Sequence, residues 1–244
     1  MKRLFVIVLI FSALICNSQT IRPRNLPTYD NKRLHFGFTI GLNTMDFVLH
    51  HSEAFLAGNG DSGFEIDSVF SIEPGRNPGF HFGPVSNLRL NRYMDARFLI
   101  DIAFGQRDLT YIVAKNPTAV PVVYESHLMQ IESIFVEAPL QIKFRSERLN
   151  NHRPYLLAGI NPRIDMASQK KIKEEEMPKV RLVRTDLALE FGVGIDFYLP
   201  YFKFSTELKF SYGLRNSLVP DGSQYTSAID KLNSQFFVLS FHFE

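Results

Sequence analysis

The sequence has one cysteine and no tryptophan among its 244 residues. Because Cys16 lies in an apolar segment near the N-terminus, the chain that follows has no thiol for a disulfide, a thiolate metal site or a cysteine nucleophile. A surplus of charge is also missing, since 27 Lys and Arg residues stand against 25 Asp and Glu residues. This balance argues against nucleic acid as a partner, because phosphate binding needs a basic surface. After residue 16 there is no run of about 20 apolar residues, the length that a membrane-spanning helix needs.

The N-terminal residues have the features of a secretory signal peptide. Two basic residues precede an apolar run over 4–15, and residues 16–18 (CNS) offer a cleavage site of the small-x-small type. A lipoprotein signal with Cys16 as the lipidated residue is the alternative, and bulky Ile15 disfavours it. We therefore predict a signal peptide over 1–18. The exported chain then has 25 basic and 25 acidic residues.

Apolar and polar residues alternate in eight segments of the exported chain. The C-terminal segment is the clearest, because Phe237, Leu239, Phe241 and Phe243 share one parity while the other ends in polar residues. In all eight, one face is mostly Leu, Ile, Val, Phe and Ala, and the other mixes Gly with charged residues and His. A period of two predicts strands with one apolar face each. The segments span 33–43, 79–90, 94–111, 130–145, 153–163, 186–197, 202–213 and 234–244.

The connections between these segments alternate in length. The long ones span 44–77, 112–129, 164–185 and 214–233, and the short ones span 91–93, 146–152 and 199–201. Short periplasmic turns and long external loops are typical of outer-membrane barrels. A soluble sandwich or lipocalin-like barrel also alternates, but its apolar face would be the inner one, and the charged face would then be unexplained.

We therefore predict an all-β fold: an eight-stranded antiparallel transmembrane β-barrel over 33–244 in the outer membrane, with short periplasmic turns and four long external loops. Lipid is expected to contact its apolar face. Residues 19–32 read as an extended periplasmic tail that is free to touch a partner. The run over 170–176 (KKIKEEE) reads as a solvated external loop. Pro84, Pro139 and Pro162 lie inside predicted strands, where they indicate bends or bulges near a rim.

The polar faces of the strands are expected to fill the barrel. An eight-stranded barrel is just wide enough inside for side chains to fill it, and glycines on the same face give long side chains room. Since both signs of charge occur in similar number, the expected interior is a salt-bridged plug. A proton-transfer site at Glu137, Glu190 and Glu207 is the alternative, and no diagnostic spacing supports it. The inward charges are Arg97, Asp101, Glu137, Lys143, Arg163, Glu190, Asp196, Glu207 and Lys209.

One cluster in the first long connection resembles the parts of a hydrolase. It consists of His50, His51, Ser52 and Glu53. Adjacent residues in a flexible loop point in different directions, whereas a catalytic triad is assembled from distant segments. No third ligand has the spacing that would make the histidine pair a metal site. We therefore predict a polar loop here, and no catalytic, cofactor-binding or metal-binding residue in the chain.

Several stretches resemble the PorT-like family of outer-membrane barrels, which belong to type IX secretion and gliding-motility systems. The opening stretch is the one that suggests this family rather than outer-membrane barrels in general. The stretches are DNKRLHFGFTIGLNTMDF (30–47), VEAPLQIKF (136–144), RPYLLAG (153–159), LEFGVGIDFYL (189–199), ELKFSYGL (207–214) and LSFHFE (239–244).

The resemblance implies a non-enzymatic component that is needed for export or maturation of cargo proteins by type IX secretion. It implies other secretion-system proteins as partners, no cofactor and no small-molecule substrate. Two other functions stay open on the sequence alone. One is a small barrel enzyme that modifies lipid A or proteins, and the other is a small pore or ligand-binding barrel.

Overall fold

The computed structural model describes residues 23–56, 67–115, 123–168, 180–220 and 224–244. The predicted signal peptide (1–18) and the charged run over 170–176 lie outside these ranges. Within them, no helix has the length and apolar character needed to cross a bilayer. The helices are α1 (Glu53–Leu56), α2 (Gln224–Ser227) and a 3-10 turn (Tyr29–Asn31). The strands are β1 (Leu34–His51), β2 (Asp67–Arg89), β3 (Met94–Leu99), β4 (Asp101–Lys115), β5 (Val123–Glu137), β6 (Leu140–Arg145), β7 (His152–Asp165), β8 (Thr185–Tyr198), β9 (Lys203–Gly213) and β10 (Ile229–Phe243).

The ten strands form one closed antiparallel sheet. β1 pairs with β10 on one edge and with β2 on the other, so the sheet has no free edge between its first and last strands. β3 and β4 are one path across the wall, broken at Ile100, and β5 and β6 are another, broken at residues 138–139. The wall is therefore crossed eight times. The predicted eight-stranded antiparallel barrel is confirmed.

The two ends of the barrel differ. The short connections 90–93, 146–151 and 199–202 lie at one end, together with the described tail residues 23–33 and the C-terminal Glu244, and we call it the turn end. The other end carries the connections between β1 and β2, β4 and β5, β7 and β8, and β9 and β10, and we call it the loop end. The predicted alternation of short and long connections is thus observed.

The three prolines that were predicted inside strands, Pro84, Pro139 and Pro162, lie at breaks in the hydrogen-bond ladder. Their carbonyl groups accept backbone bonds from the neighbouring path: Pro84 from Ile100 (3.2 Å), Pro139 from Leu99 (3.2 Å) and Pro162 from Ala138 (3.0 Å). Because proline has no N–H to return, the regular exchange of bonds stops there. The bends were predicted near a rim. They lie within the wall instead, since β3 and β6 continue beyond them to the turn end.

Several strands extend farther toward the loop end than predicted. β1 continues to His51 instead of ending at residue 43, and β2 begins at Asp67 instead of residue 79. The predicted loop 44–77 was therefore too long. The extension of β2 contains Pro74, Gly75 and Pro78, which interrupt the alternation of apolar and polar residues from which strands are predicted. It forms nevertheless because this part of β2 pairs with β4, from Asp67 opposite Lys115 to Arg76 opposite Arg107.

In the part nearer the turn end, apolar side chains face outward and polar ones inward. Phe36 on β1 is 69% exposed, whereas His242 on β10 is 1% exposed. Parity in the sequence predicted this sorting. Bare apolar side chains on a closed sheet are stable against hydrocarbon, and in water they would be a large exposed patch.

The sorting of side chains inverts toward the loop end. Beyond Met45 opposite Asn77, no pairing joins β1 to β2 in the described residues. β1 stays with β10, and β2 stays with β4 and β5, so two separate sheets face each other. Their inner sides carry mainly buried apolar residues and their outer sides mainly polar ones, with Phe70, Tyr124 and Leu128 as exposed exceptions, an arrangement closer to that of a soluble sandwich. We call this region, residues 44–51, 67–77, 107–115, 123–134 and 229–234, the loop-end sandwich. Its core includes Phe47, Ile72, Leu109, Tyr111, Val113, Met129, Ile229 and Leu232.

Candidate functional site: a lumen closed at both ends

Paired charges fill the lumen between the loop-end sandwich and the turn end. Arg97 on β3 is fully buried, and its Nη1 lies 2.6 Å from Oε2 of Glu207 on β9. Tyr155 donates a hydrogen bond of 2.8 Å to the same carboxylate. Lys143 on β6 contacts both oxygens of Asp196, at 2.7 and 2.8 Å. Such pairs are stable in a dry interior only when the geometry is close and further hydrogen bonds are made. Glu207 and Asp196 each accept such a further bond, from Tyr155 and Ser205, whereas Nε and Nη2 of Arg97 have no hydrogen-bond partner among the described residues.

The pairing of buried charges is one to one over most of the barrel. Eight cationic side chains line the lumen or close its turn end, and each has a carboxylate within 3.2 Å. Ten carboxylates occupy the same space, so two of them, Asp101 and Glu137, have no ion pair among the described residues. The pairs are Arg97–Glu207, Arg107–Asp165, Lys143–Asp196, Arg145–Asp95, Arg153–Asp30, Arg163–Asp186, Lys203–Glu244 and Lys209–Glu190.

Glycines on the inward face give the polar side chains room to lie along the wall. A Cβ at Gly83 would collide with the Asp101 carboxylate, and one at Gly194 would lie 2.5 Å from the Tyr155 hydroxyl oxygen. A side chain on one strand therefore covers the glycine of its neighbour. The expectation that glycines make room for large inward side chains is met at these positions.

Two arginines and two phenylalanines close the lumen beneath the loop-end sandwich. The Arg107 guanidinium lies 5.0 Å from the ring centre of Phe135, and that of Arg163 lies 4.2 Å from the ring centre of Phe236. Both guanidiniums also keep a carboxylate partner. Cation–π contacts strengthen when water is excluded, so this layer joins the charged lumen to the apolar core above it.

Two segments from the long connections cover the loop end. Leu182 and Leu218 pair as an isolated bridge and lie in the core of the loop-end sandwich, 7% and 6% exposed. Backbone N–H groups of Val183 and Val219 bind carbonyls of Ser217 and Arg181, at 2.8 and 3.0 Å. This end of the barrel is thus closed by an apolar lid made from the chain itself.

The N-terminal tail covers the turn end. The two oxygens of Asp30 each accept a hydrogen bond from Arg153, at 3.1 and 3.0 Å. The hydroxyl of Tyr29 donates to Glu244 (2.9 Å), and Asn25 donates from its side chain to the Tyr198 carbonyl (2.9 Å). Residues 19–32 were predicted to extend into the periplasm. From residue 23 onward they contact the barrel's own turns instead, because arginines from those turns provide partners that an extended tail would lack.

Electrostatics in this tail follow from these contacts. Burial alone would raise the pKa of Asp30, but the guanidiniums of Arg153 and Arg145 outweigh it and hold the pKa below the usual value. Burial, together with the negative charge of Glu244, raises the pKa of Tyr29 above its usual value. Both groups therefore keep their paired form, carboxylate and neutral phenol, at neutral pH.

The three glutamates that a proton-transfer site would need do not converge as an unpaired group. Glu207 binds Arg97 and accepts from Tyr155. Glu190 accepts hydrogen bonds from Gln141 (2.6 Å) and Asn161 (2.9 Å) and pairs with Lys209. Each of these two carboxylates is thus fully engaged in structure, whereas Glu137 is not.

The cluster from His50 to Glu53 was predicted to be a polar loop, and that prediction was wrong. His50 and His51 are the last residues of β1, and Glu53 begins α1. The His51 ring stacks on Phe55 at 4.8 Å, and the Ser52 hydroxyl accepts the Phe55 N–H at 3.2 Å, so that hydroxyl caps the first turn of α1. Among the described residues, no three His, Cys, Asp or Glu side chains are grouped so as to hold a metal ion.

Sequence parity identified nine of the buried lumen charges, and all nine are at most 7% exposed. It missed others on the same faces, among them Arg107, which lies on the inward parity of β4 together with Asp101. The tail residue Asp30 had no sequence signal, since its partners lie 115 or more positions away.

Comparison with known proteins places the chain among outer-membrane barrels. Residues 17–219 match the family model of the outer membrane protein beta-barrel domain. No curated protein matches the sequence. Among solved structures, the crystal structure of Neisserial surface protein A is similar with a TM-score of 0.42 and 10% identity, covering 87% of this chain and 99% of that one. OprG from Pseudomonas aeruginosa gives 0.39 and 9%, with 86% and 94% covered. Ail of Yersinia pestis, in complex with the heparin analogue sucrose octasulfate, gives 0.35 and 12%, with 87% and 99% covered.

Proposed function

Since the chain belongs to the outer membrane protein beta-barrel domain family and its barrel lies in the outer membrane, we propose that it is a non-enzymatic component of type IX secretion. It acts through contacts with other secretion proteins and is needed for export or maturation of cargo. The turn end then faces the periplasm and the loop end faces outward, as in other outer-membrane barrels.

The observation that carries this proposal is the closed lumen. Charged pairs fill the middle, the loop-end sandwich with its lid covers one mouth, and the tail covers the other. Within the described ranges, a lumen filled in this way leaves a solute no water-filled path and a substrate no open cleft between the strands. Its function then depends on its surfaces.

The choice of secretion system comes from the sequence resemblance. The resembling stretches over 136–144, 153–159, 189–199 and 207–214 lie mainly in the wall strands β6 to β9, and the stretch over 30–47 joins the tail to β1. The stretch over 136–144 includes Glu137, and the stretch over 207–214 begins at Glu207, so lumen residues are part of the resemblance. Wall and lumen chemistry therefore support the assignment, while the contact surfaces themselves lie elsewhere.

Partner contacts are expected at the periplasmic turns. Tyr201 is 92% exposed and Tyr93 is 47% exposed, and both lie in short connections. Aromatic side chains in accessible turns are common anchors of protein interfaces. The tail contacts the third short connection, 146–151, through Arg148, which donates hydrogen bonds to the Asn25 carbonyl and to Asn151. It also contacts the Tyr198 carbonyl, beside the turn that carries Tyr201, through the Asn25 side chain.

The test is deletion of the gene in its own host, with complementation. We expect cargo proteins to remain unprocessed inside the deletion strain and to be secreted again when the wild-type gene returns. A Tyr201→Ala variant is expected to restore secretion less well while reaching the outer membrane at wild-type level. Leu208→Ala, a change on the lipid-facing wall, serves as its matched control and should complement fully.

Normal secretion by the deletion strain would overturn the proposal. The other two functions have their own readouts in the same strains. A change in lipid A mass on deletion would favour an enzyme, and discrete conductance steps of the purified protein in planar bilayers would favour a pore.

A further inference from the structure

Two buried carboxylates in the lumen lack a counter-ion. Asp101 on β4 and Glu137 on β5 lie directly opposite each other in the strand register. They are 2% and 7% exposed, and Oδ1 of Asp101 and Oε1 of Glu137 have no hydrogen-bond partner. Two unpaired carboxylates side by side in a dry interior would each cost several kcal/mol, so a neutralising species must accompany them.

The neighbouring cations are already engaged. Arg163 lies across from Glu137 on β7, but its Nε and Nη2 bind Asp186 at 3.0 and 2.6 Å. Lys209 lies 3.2 Å from Glu190. The one-to-one pairing of the other eight cations therefore leaves a local charge of −2.

A second, independent feature is joined to this pair through Asn161 and Glu190. Gln141 and Asn161 are 1% and 0% exposed, and both donate their amide NH2 groups to Glu190. That orientation is required, since a carboxylate cannot accept from an amide oxygen. It leaves Oε1 of Gln141 and Oδ1 of Asn161 buried without partners. The Asn161 amide nitrogen also lies within hydrogen-bonding reach of the Glu137 carboxylate, so the Asn161 side chain borders both Glu137 and Glu190.

We propose that Asp101 and Glu137, assisted by the amide oxygens of Gln141 and Asn161, hold one hard divalent cation, Ca²⁺ or Mg²⁺, inside the lumen. The donors are all oxygen atoms, which these ions prefer. One divalent ion neutralises the charge of −2, whereas a monovalent ion would leave half of it. The ion completes the charge balance of the barrel interior, so its role is to stabilise the closed lumen.

The experiment uses chain refolded from inclusion bodies into detergent, because lipopolysaccharide would carry ions of its own. Refolding is carried out with CaCl2, with MgCl2 or with EDTA, since a closed lumen takes up the ion during folding. After gel filtration we expect about one ion per chain by mass spectrometry. At a hundredfold excess over Kd, the unfolding midpoint is expected to rise by roughly 5 °C or more relative to the EDTA sample.

The variants separate the proposed site from general lumen effects. Asp101→Asn/Glu137→Gln should hold no ion and should have the same midpoint with and without Ca²⁺. Asp165→Asn removes a carboxylate that is paired with Arg107. It should lower the midpoint but keep both the ion and the shift.

Two results would overturn the site. One is wild-type chain that carries no ion and melts at the same temperature in all three buffers. If its midpoint then rises as the pH falls, the two carboxyls share a proton instead. The other is an Asp101→Asn/Glu137→Gln variant that keeps the ion. Should this double variant fail to fold, the ion content of wild type and of Glu137→Gln alone decides the question.

Discussion

Asp30 of the N-terminal tail and Arg153 at the start of β7 form a two-pronged ion pair, with Oδ1 3.1 Å from Nη1 and Oδ2 3.0 Å from Nη2. The residues are 123 positions apart in the chain. A parallel pair of charged hydrogen bonds fixes orientation as well as distance, so the tail is held in one position across the turn end.

Replacing Asp30 by Asn should release the tail while the barrel stays folded. Because the Asp30 side chain is 24% exposed, solvent screens the ion pair, and we expect a loss of about 1–2 kcal/mol, at the lower part of the range for charged hydrogen bonds. Hydrogen exchange of residues 23–31 should speed up. Glu147→Ala, which breaks an exposed pair with Arg92 on a nearby turn, is the matched control and should change little. Unchanged protection of the tail in Asp30→Asn would contradict the prediction.

Acid should release the tail in the wild type. Since the pKa of Asp30 is lower in the folded protein than in the unfolded chain, its contribution to stability is complete above the unfolded value of about 3.9. The contribution is lost as the pH falls through the folded pKa. Exchange of residues 23–31, corrected for the intrinsic pH dependence, should therefore rise below about pH 4. In Asp30→Asn this step should be absent.

Breaking the Arg97–Glu207 pair from one side should be severe. Glu207→Leu leaves a fully buried guanidinium without its main partner, for which about 3–5 kcal/mol is typical. Arg97→Met/Glu207→Leu removes both charges and should cost less than the sum of the two single changes. Urea unfolding in detergent, followed by heat-modifiable gel mobility, measures this coupling. Additive effects would show that the two side chains act independently.

A charge placed on the outer surface should be tolerated or not according to its height on the barrel. Phe191 is 56% exposed in the middle of β8, and Phe191→Lys should destabilise by about 2–4 kcal/mol, as lysine does at the bilayer midplane. Gln130 is exposed on the polar outer side of the loop-end sandwich, so Gln130→Lys should change stability by less than about 0.5 kcal/mol. Unfolding in lipid vesicles compares the two. Equal costs would contradict the inversion of polarity.

The wall of the barrel was predictable because one physical rule decides it. Each strand position faces either hydrocarbon or lumen, so the polarity of a residue predicts its orientation: apolar Phe36 faces outward and polar His242 faces inward. The same rule failed from residue 44 toward the loop end. Phe47 and Asn43 both have inward side chains on β1, but the one in the loop-end sandwich is apolar and the one in the lumen is polar. Outside the loop-end sandwich the barrel faces water instead of lipid, so there the apolar residues face inward and the polar ones outward.

The lumen was only half predictable. Inward charges follow from parity, but their partners do not, because Arg97 and Glu207 are 110 positions apart and meet only after the barrel closes. Similar numbers of both signs suggested complete pairing. The exception at Asp101 and Glu137 depends on register, since the cation opposite Glu137 is drawn to Asp186 on its other side. The fold of the tail onto Arg153 had no periodic signal at all.

The height at which the outer surface of the barrel changes from apolar to polar residues also determines how deeply the protein is inserted in the membrane. Sinking by one strand residue, about 3 Å along the strand, would drag polar side chains such as Glu132 toward acyl chains, and rising would strip lipid from Leu42. Either displacement is unfavourable, so the protein has a single resting depth. The loop-end sandwich is consequently held at a constant distance above the lipid.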